Sequence, residues 1–159
     1  MKNKNVVLGF MVAVAIVLQV LESFIPVPLP IPGGKIGLAN IVALIVLIKF
    51  GAKEAVVVTL IRAILGSFIH GGFVTMIYSV AGALFSVVTA ILLYRHSKYT
   101  IIGIGVMSAL VHNLAQVIVA ILLMNNIYIV TYYPILMLVS LPCGALTGYV
   151  SGLVLNKLK

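Results

Sequence analysis

Long apolar runs separated by short polar breaks constrain the fold of this chain more than any single motif does. Six such runs lie between the breaks, and they are too long and too uninterrupted for the alternating pattern of a membrane β-barrel. The chain is 64% hydrophobic and only 8% charged, with a mean hydropathy of +1.33, which is far from the usage of soluble proteins. The sequence therefore predicts an all-α integral membrane protein, a single helical bundle over residues 1–159.

The breaks also define six predicted spans. The first ends at a proline-rich segment, PVPLPIPGG (26–34), and the second covers 15 residues. At 1.5 Å per residue the second reaches only about 22 Å, against a hydrocarbon core of roughly 30 Å. It needs the proline-rich segment or neighbouring protein to complete the crossing. The predicted spans are 6–24, 36–50, 52–69, 73–94, 99–124 and 134–155.

Basic residues between the spans orient the bundle. Short cytoplasmic loops carry an excess of lysine and arginine, and six spans with an inner N-terminus leave Lys35 as the outer basic residue. The inner side then carries Lys2, Lys4, Lys49, Lys53, Arg95, Lys98, Lys157 and Lys159. The sequence thus predicts that both termini are cytoplasmic. Because the formal charge of +8 is explained by these loops, it predicts no nucleic-acid partner.

One arginine belongs to no loop. Arg62 lies in the stretch TLIRAILGSFIHGG (59–72), just outward of the middle of the third span, and ionisable groups at such depth face a bundle interior or a cavity. Glu22 and Asn40 lie in the outer parts of the first and second spans. Arg62 either forms a structural ion pair with Glu22 or contacts a ligand, and the sequence leaves both roles open.

The fifth span carries a second polar group. His112 and Gln116 are four residues apart and share a helix face, and Asn113 lies three residues from Gln116. These residues either join helices by hydrogen bonds, as is common in membranes, or line a pocket that opens outward. The proline-rich segment, which favours an extended path, is either a plain connector or a lid over that pocket.

Small residues mark two further helix faces. Gly144, Gly148 and Gly152 form a row on the sixth span, where backbones can approach closely. Gly9 and Ala13 form a weaker version of this pattern on the first span. Both faces are predicted packing surfaces, either within the bundle or towards a partner.

Several kinds of chemistry are absent from the sequence. The only acidic residues are Glu22 and Glu54, with no aspartate, and there is no phosphate-binding glycine-lysine loop and no recognisable set of nucleophile, base and acid. No sequence-local cluster with the histidines supports a metal site. The sequence therefore predicts a protein that is not an enzyme and has no catalytic residue, metal or cofactor.

Four segments carry a family resemblance: PGGKIGLANI (32–41), FGAKEA (50–55), LGS (65–67) and SALVHNLAQ (108–116). They resemble the Gx transporter family, also named heptaprenyl diphosphate synthase component I, over nearly the whole chain. In layout the chain is similar to the S-components of energy-coupling factor vitamin transporters. The resemblance implies a multi-pass protein of a prokaryotic plasma membrane.

The resemblance also implies a site. In S-components, six helices bind a vitamin or related molecule near the outer face, under the loop joining the first two spans, and small residues of the first span dock on a membrane coupling subunit that works with two ATPases. Carried over, docking falls on Gly9 and Ala13, and the proline-rich segment is the gate. The implied ligand contacts are Glu22, Lys35, Asn40, Arg62, His112, Asn113 and Gln116.

The sequence and the family resemblance leave three functions open. The first is an S-component-like subunit for uptake of a small anionic organic molecule, such as a vitamin or an isoprenoid or quinone precursor. The second is a non-catalytic membrane subunit in prenyl diphosphate or quinone synthesis, since prenyl diphosphate synthases need aspartate-rich magnesium motifs that this chain lacks. The third is a stand-alone facilitator, which would transport without partners.

Overall fold

The protein is helical throughout the part described by its computed structural model, which covers residues 2–24, 37–96 and 98–157. The proline-rich segment and Lys35 lie outside these residues. The helices are α1 (Lys2–Ser23), α2 (Asn40–Phe50), α3 (Ala52–His70), α4 (Gly72–Arg95), α5 (Ile101–Met124) and α6 (Tyr133–Lys157), with a short 3-10 helix (Ile127–Tyr132) before α6.

Four helical segments are long and apolar enough to cross a membrane, namely Asn3–Glu22, Gly72–Arg95, Ile101–Met124 and Ile127–Lys157. This confirms the predicted all-α membrane protein. Helix α3 carries three ionised residues and is not among the four, and α2 is a shorter apolar helix. The crossing of the membrane by six spans and the cytoplasmic position of the termini stay predictions.

Helix α2 begins later than the predicted span. Gly37 has a φ of +89°, which a right-handed helix does not accommodate, and a turn follows it in which the Asn40 N–H donates to the Gly37 carbonyl at 2.9 Å. The helix therefore starts at Asn40 and has 11 residues, a length of about 16 Å. Most of its apolar side chains are buried, as expected of a helix that is apolar on all sides and central to a bundle.

Helices α1 and α3 run side by side in the same direction. Near the start of both, Lys4 Nζ lies 2.6 Å from Glu54 Oε1, and near the end of both, Gln19 Nε2 donates to Ser67 Oγ at 3.2 Å. Between these contacts, buried Ala15 of α1 and Val58 of α3 belong to one apolar core that also includes α2 and α4. The buried polar side chains of the candidate site, described below, also lie on the inner faces of these helices.

Helices α5 and α6 approach closely through glycines. A Cβ atom on Gly144 would lie 2.6 Å from Val106 Cα, and one on Gly148 would lie 2.5 Å from Ile102 Cα. At Gly152, by contrast, a Cβ would meet nothing within 4 Å. Two of the three glycines in the predicted row thus lie at the contact between α5 and α6, because only glycine lets the two backbones come this near.

Candidate functional site

The guanidinium of Arg62 joins three helices inside the bundle. Arg62 is only 5% exposed, and its Nη2 donates to Asn40 Oδ1 at 2.6 Å while its Nη1 donates to Gln19 Oε1 at 3.3 Å. Its Nε has no hydrogen-bond partner within the described residues. Since Asn40 is the first residue of α2, that helix begins at the level of Arg62 in the middle of α3.

Gln19 is a member of this group that sequence reasoning missed. It is 1% exposed, accepts from Arg62 and donates to Ser67, so its carboxamide connects α1 to α3. Gly66 makes room for it, because a Cβ there would lie 2.8 Å from the Gln19 carboxamide carbon. The available signal was spacing: Gln19 precedes Glu22 by three residues and therefore shares its helix face.

Glu22 holds the backbone that leads into α2. Its buried carboxylate accepts the Gly37 N–H at 2.5 Å through Oε1 and the Leu38 N–H at 3.0 Å through Oε2. It also interacts electrostatically with Arg62. The structure thus brings the predicted residues Glu22, Asn40 and Arg62 into one group, which we call the arginine cluster and which also contains Gln19 and Ser67.

The polar residues of α5 face α4 and α6. Asn113 Nδ2 donates to Ser140 Oγ at 2.6 Å, and the Ser140 hydroxyl donates to the Leu136 carbonyl at 2.6 Å. The imidazole of His112 packs on Gly82 of α4, where a Cβ would lie 2.8 Å from Nε2. His112, Asn113 and Gln116 are all buried, and we call them the α5 polar face.

A small cavity of about 10 Å³ lies between Asn40 and α4, α5 and α6. Its polar lining includes Ser86, Ser108 and Thr147, and Ser108 Oγ has no hydrogen-bond partner within the described residues. This is about the space of one water molecule. Asn40 therefore contacts Arg62 on one side and borders this polar cavity on the other.

The remaining predicted site residues lie elsewhere. Lys35 is outside the described residues, so its place relative to Arg62 stays a prediction. Gly9 and Ala13 are exposed on α1, where no neighbouring atom lies within 4 Å of a Cβ placed on Gly9. In the described ranges, no three histidine, cysteine, aspartate or glutamate side chains come together as metal ligands would.

Comparison with known proteins identifies the family. None of the curated proteins and none of the solved structures is significantly similar to the chain. The family described as heptaprenyl diphosphate synthase component I matches residues 11–155, a range that contains both the arginine cluster and the α5 polar face. This confirms the resemblance carried by the four sequence segments: the chain belongs to the heptaprenyl diphosphate synthase component I family.

Proposed function

We propose that the chain is a non-catalytic, substrate-binding membrane subunit of the S-component type. Its ligand is a small organic molecule with a carboxylate or phosphate group, such as a vitamin or an isoprenoid or quinone precursor. A membrane coupling subunit with partner ATPases supplies the energy for uptake. The protein acts in a prokaryotic plasma membrane.

The charge of the buried Arg62 guanidinium, which has neutral hydrogen-bond acceptors, carries this proposal. The oxygens of Gln19 and Asn40 are neutral acceptors, so they orient the guanidinium without cancelling its charge. A charge held in the membrane interior is expensive unless it is paired. A carboxylate or phosphate is the natural partner of a planar guanidinium, which can donate two parallel hydrogen bonds to it.

Glu22 adjusts the charge of the site in this proposal. In the structure its carboxylate acts electrostatically on Arg62 and is itself held by the N–H groups of Gly37 and Leu38. An arriving anion takes over the compensation of the Arg62 charge. Glu22 then contacts an amine of the ligand or stays on the backbone amides.

The family name favours a second candidate function, a membrane subunit associated with prenyl diphosphate synthesis. The absence of aspartate from the chain restricts this role to a non-catalytic one, because the magnesium-binding motifs would have to come from another subunit. Its ligand would be an isoprenoid diphosphate, whose phosphates also suit Arg62. The two candidates differ in whether the bound molecule crosses the membrane.

The decisive experiment identifies the ligand directly. The wild-type chain, Arg62→Ala and Arg95→Ala are purified gently in detergent, and co-purifying small molecules are identified by mass spectrometry. Arg95 is a matched control because it is exposed at the end of α4. We expect an anionic ligand in the wild type and in Arg95→Ala, and its loss in Arg62→Ala.

A different set of results would contradict the binding role. If no ligand accompanies any variant, and the thermal stability lost in Arg62→Ala returns when Glu22→Gln is added, then Arg62 is half of a structural bridge and the binding role is wrong. Where a ligand is found, uptake into vesicles separates the candidates. Uptake only with a coupling module supports the S-component role, and uptake by the chain alone would make it a facilitator.

A further inference from the structure

A groove of about 760 Å³ lies between α1 and α3, where both helices begin. It follows roughly residues 4–12 of α1 and 53–61 of α3. It is separate from the arginine cluster, because Ile61 borders the groove and is 39% exposed while the neighbouring Arg62 is buried inside the bundle. The groove is thus an outer feature of the bundle that lies apart from the proposed ligand site, although Gly9 in its wall also belongs to the predicted docking face of α1.

One end of the groove is charged. The Lys4 ammonium reaches from α1 to the Glu54 carboxylate of α3, with an N–O distance of 2.6 Å, and Lys53 is exposed beside it. An ammonium group has three N–H donors, and this ion pair uses one of those on Lys4. The ion pair therefore positions Lys4 at the mouth of the groove, where two lysines and one glutamate leave an excess of positive charge.

The rest of the groove is apolar. Its walls include Leu8 and Val12 of α1 and Val57 and Ile61 of α3, and Val57 is 54% exposed. Gly9 leaves the wall open, because a Cβ there would meet nothing within 4 Å. A molecule that complements this surface has a negatively charged head and a hydrocarbon tail.

We propose that this groove binds an anionic phospholipid. The lipid phosphate contacts the ammonium groups of Lys4 and Lys53, and one acyl chain lies against Leu8, Val57 and Ile61. Lysines at the membrane surface attract anionic headgroups, and their long stems let the ammonium reach the headgroup level. The lipid site is separate from the proposed ligand site, because none of its residues belongs to the arginine cluster.

The test compares two lipids on the full chain. The protein is purified in detergent, incubated with equimolar phosphatidylglycerol and phosphatidylcholine that have identical acyl chains, and analysed by native mass spectrometry. We expect preferential retention of phosphatidylglycerol. Lys4→Gln and Lys53→Gln should each weaken its binding about fivefold, whereas Lys157→Gln, at the exposed end of α6, should leave it unchanged.

A second pair of variants tests the apolar wall. Gly9→Leu places a side chain in the groove and should abolish retention of phosphatidylglycerol. Gly152→Leu is the matched control, because a Cβ at Gly152 also meets nothing within 4 Å, and it should retain the lipid. The Cβ position is open at both glycines, so if both variants keep the monodisperse elution of the wild type, a loss of lipid in Gly9→Leu alone reports on the groove.

Two results would overturn the proposal. One is equal retention of the two lipids by the wild type, which would show that charge does not select the occupant. The other is unchanged phosphatidylglycerol binding in Gly9→Leu, accompanied by loss of a co-purifying membrane protein. That result would make the groove a protein interface.

Discussion

Arg62 Nη2 donates a 2.6 Å hydrogen bond to Oδ1 of Asn40, the residue at which α2 begins. This bond ties the start of a short buried helix to the one arginine inside the bundle. Because the turn at Gly37 and Leu38 is in turn held by Glu22, the start of α2 has polar contacts to both α1 and α3. The contacts within the arginine cluster therefore hold the start of α2 in place and also form the candidate site.

Replacing Asn40 tests this contact. Asn40→Leu keeps a similar volume but leaves a buried charged donor without its acceptor, which we expect to lower the free energy of unfolding by ~2–3 kcal/mol. Thermal unfolding in detergent, followed by circular dichroism, measures the change. Asn156→Leu is the control, because Asn156 is exposed near the end of α6. Equal stability of the two variants would contradict the contact.

Gly66→Ala tests the space that Gly66 leaves for Gln19. The added Cβ would lie 2.8 Å from the Gln19 carboxamide carbon, and Gln19 can move away only by giving up its hydrogen bonds to Arg62 and Ser67. We therefore expect a loss of ~1–3 kcal/mol, although alanine is the better helix former. Gly9→Ala, which meets no atom within 4 Å, should be neutral or more stable by up to ~1 kcal/mol. Chemical denaturation of the two variants gives the comparison. Gln19→Ala should cost less stability in the Gly66→Ala background than in the wild type. Equal costs in the two backgrounds would show that the two residues do not compete for space.

Gly144→Ala tests the close approach of α5 and α6. The new Cβ would lie 2.8 Å from the Gly105 carbonyl oxygen, and neither backbone can move away without separating the helices. We expect the free energy of unfolding to fall by ~1–3 kcal/mol. The loss should appear as a lower temperature at which the protein loses its monodisperse peak in size-exclusion chromatography. Gly152→Ala should show no such loss, because the position is open. Similar melting temperatures for the two variants would show that the close approach at Gly144 does not contribute to the stability of the fold.

The bond between Asn113 and Ser140 can be measured by a double-mutant cycle. Asn113→Ala, Ser140→Ala and the double variant should give a coupling energy of ~0.6 kcal/mol and no more than about 1.7 kcal/mol, the range of hydrogen bonds between membrane helices. The unfolding free energies of the four proteins supply the cycle. A coupling of zero would show that the 2.6 Å contact adds nothing to the joining of α5 and α6.

Much of the architecture follows from the sequence alone. Apolar runs with few charges require helices, because a bilayer leaves no other way for a single short segment to satisfy its backbone. The cost of polar and ionisable side chains in the bilayer separately predicts that Arg62, Glu22 and Asn40 face the inside of the bundle, and all three are buried there. The segment that contains Gly37, Leu38 and Asn40 is also part of the family resemblance that the family match confirms.

The tertiary structure decided which inner faces meet. Helical periodicity assigns Gln19 to the face of Glu22, but it cannot tell that this face lies against Gly66 and Ser67, since the rotation of one helix relative to another depends on packing across the whole bundle. It also cannot tell that α2 starts at Asn40, because that depends on the backbone turn at Gly37. The sequence by itself determined a helical membrane protein with an arginine in its interior, and only the packing of α1, α2 and α3 decided which atoms that arginine touches.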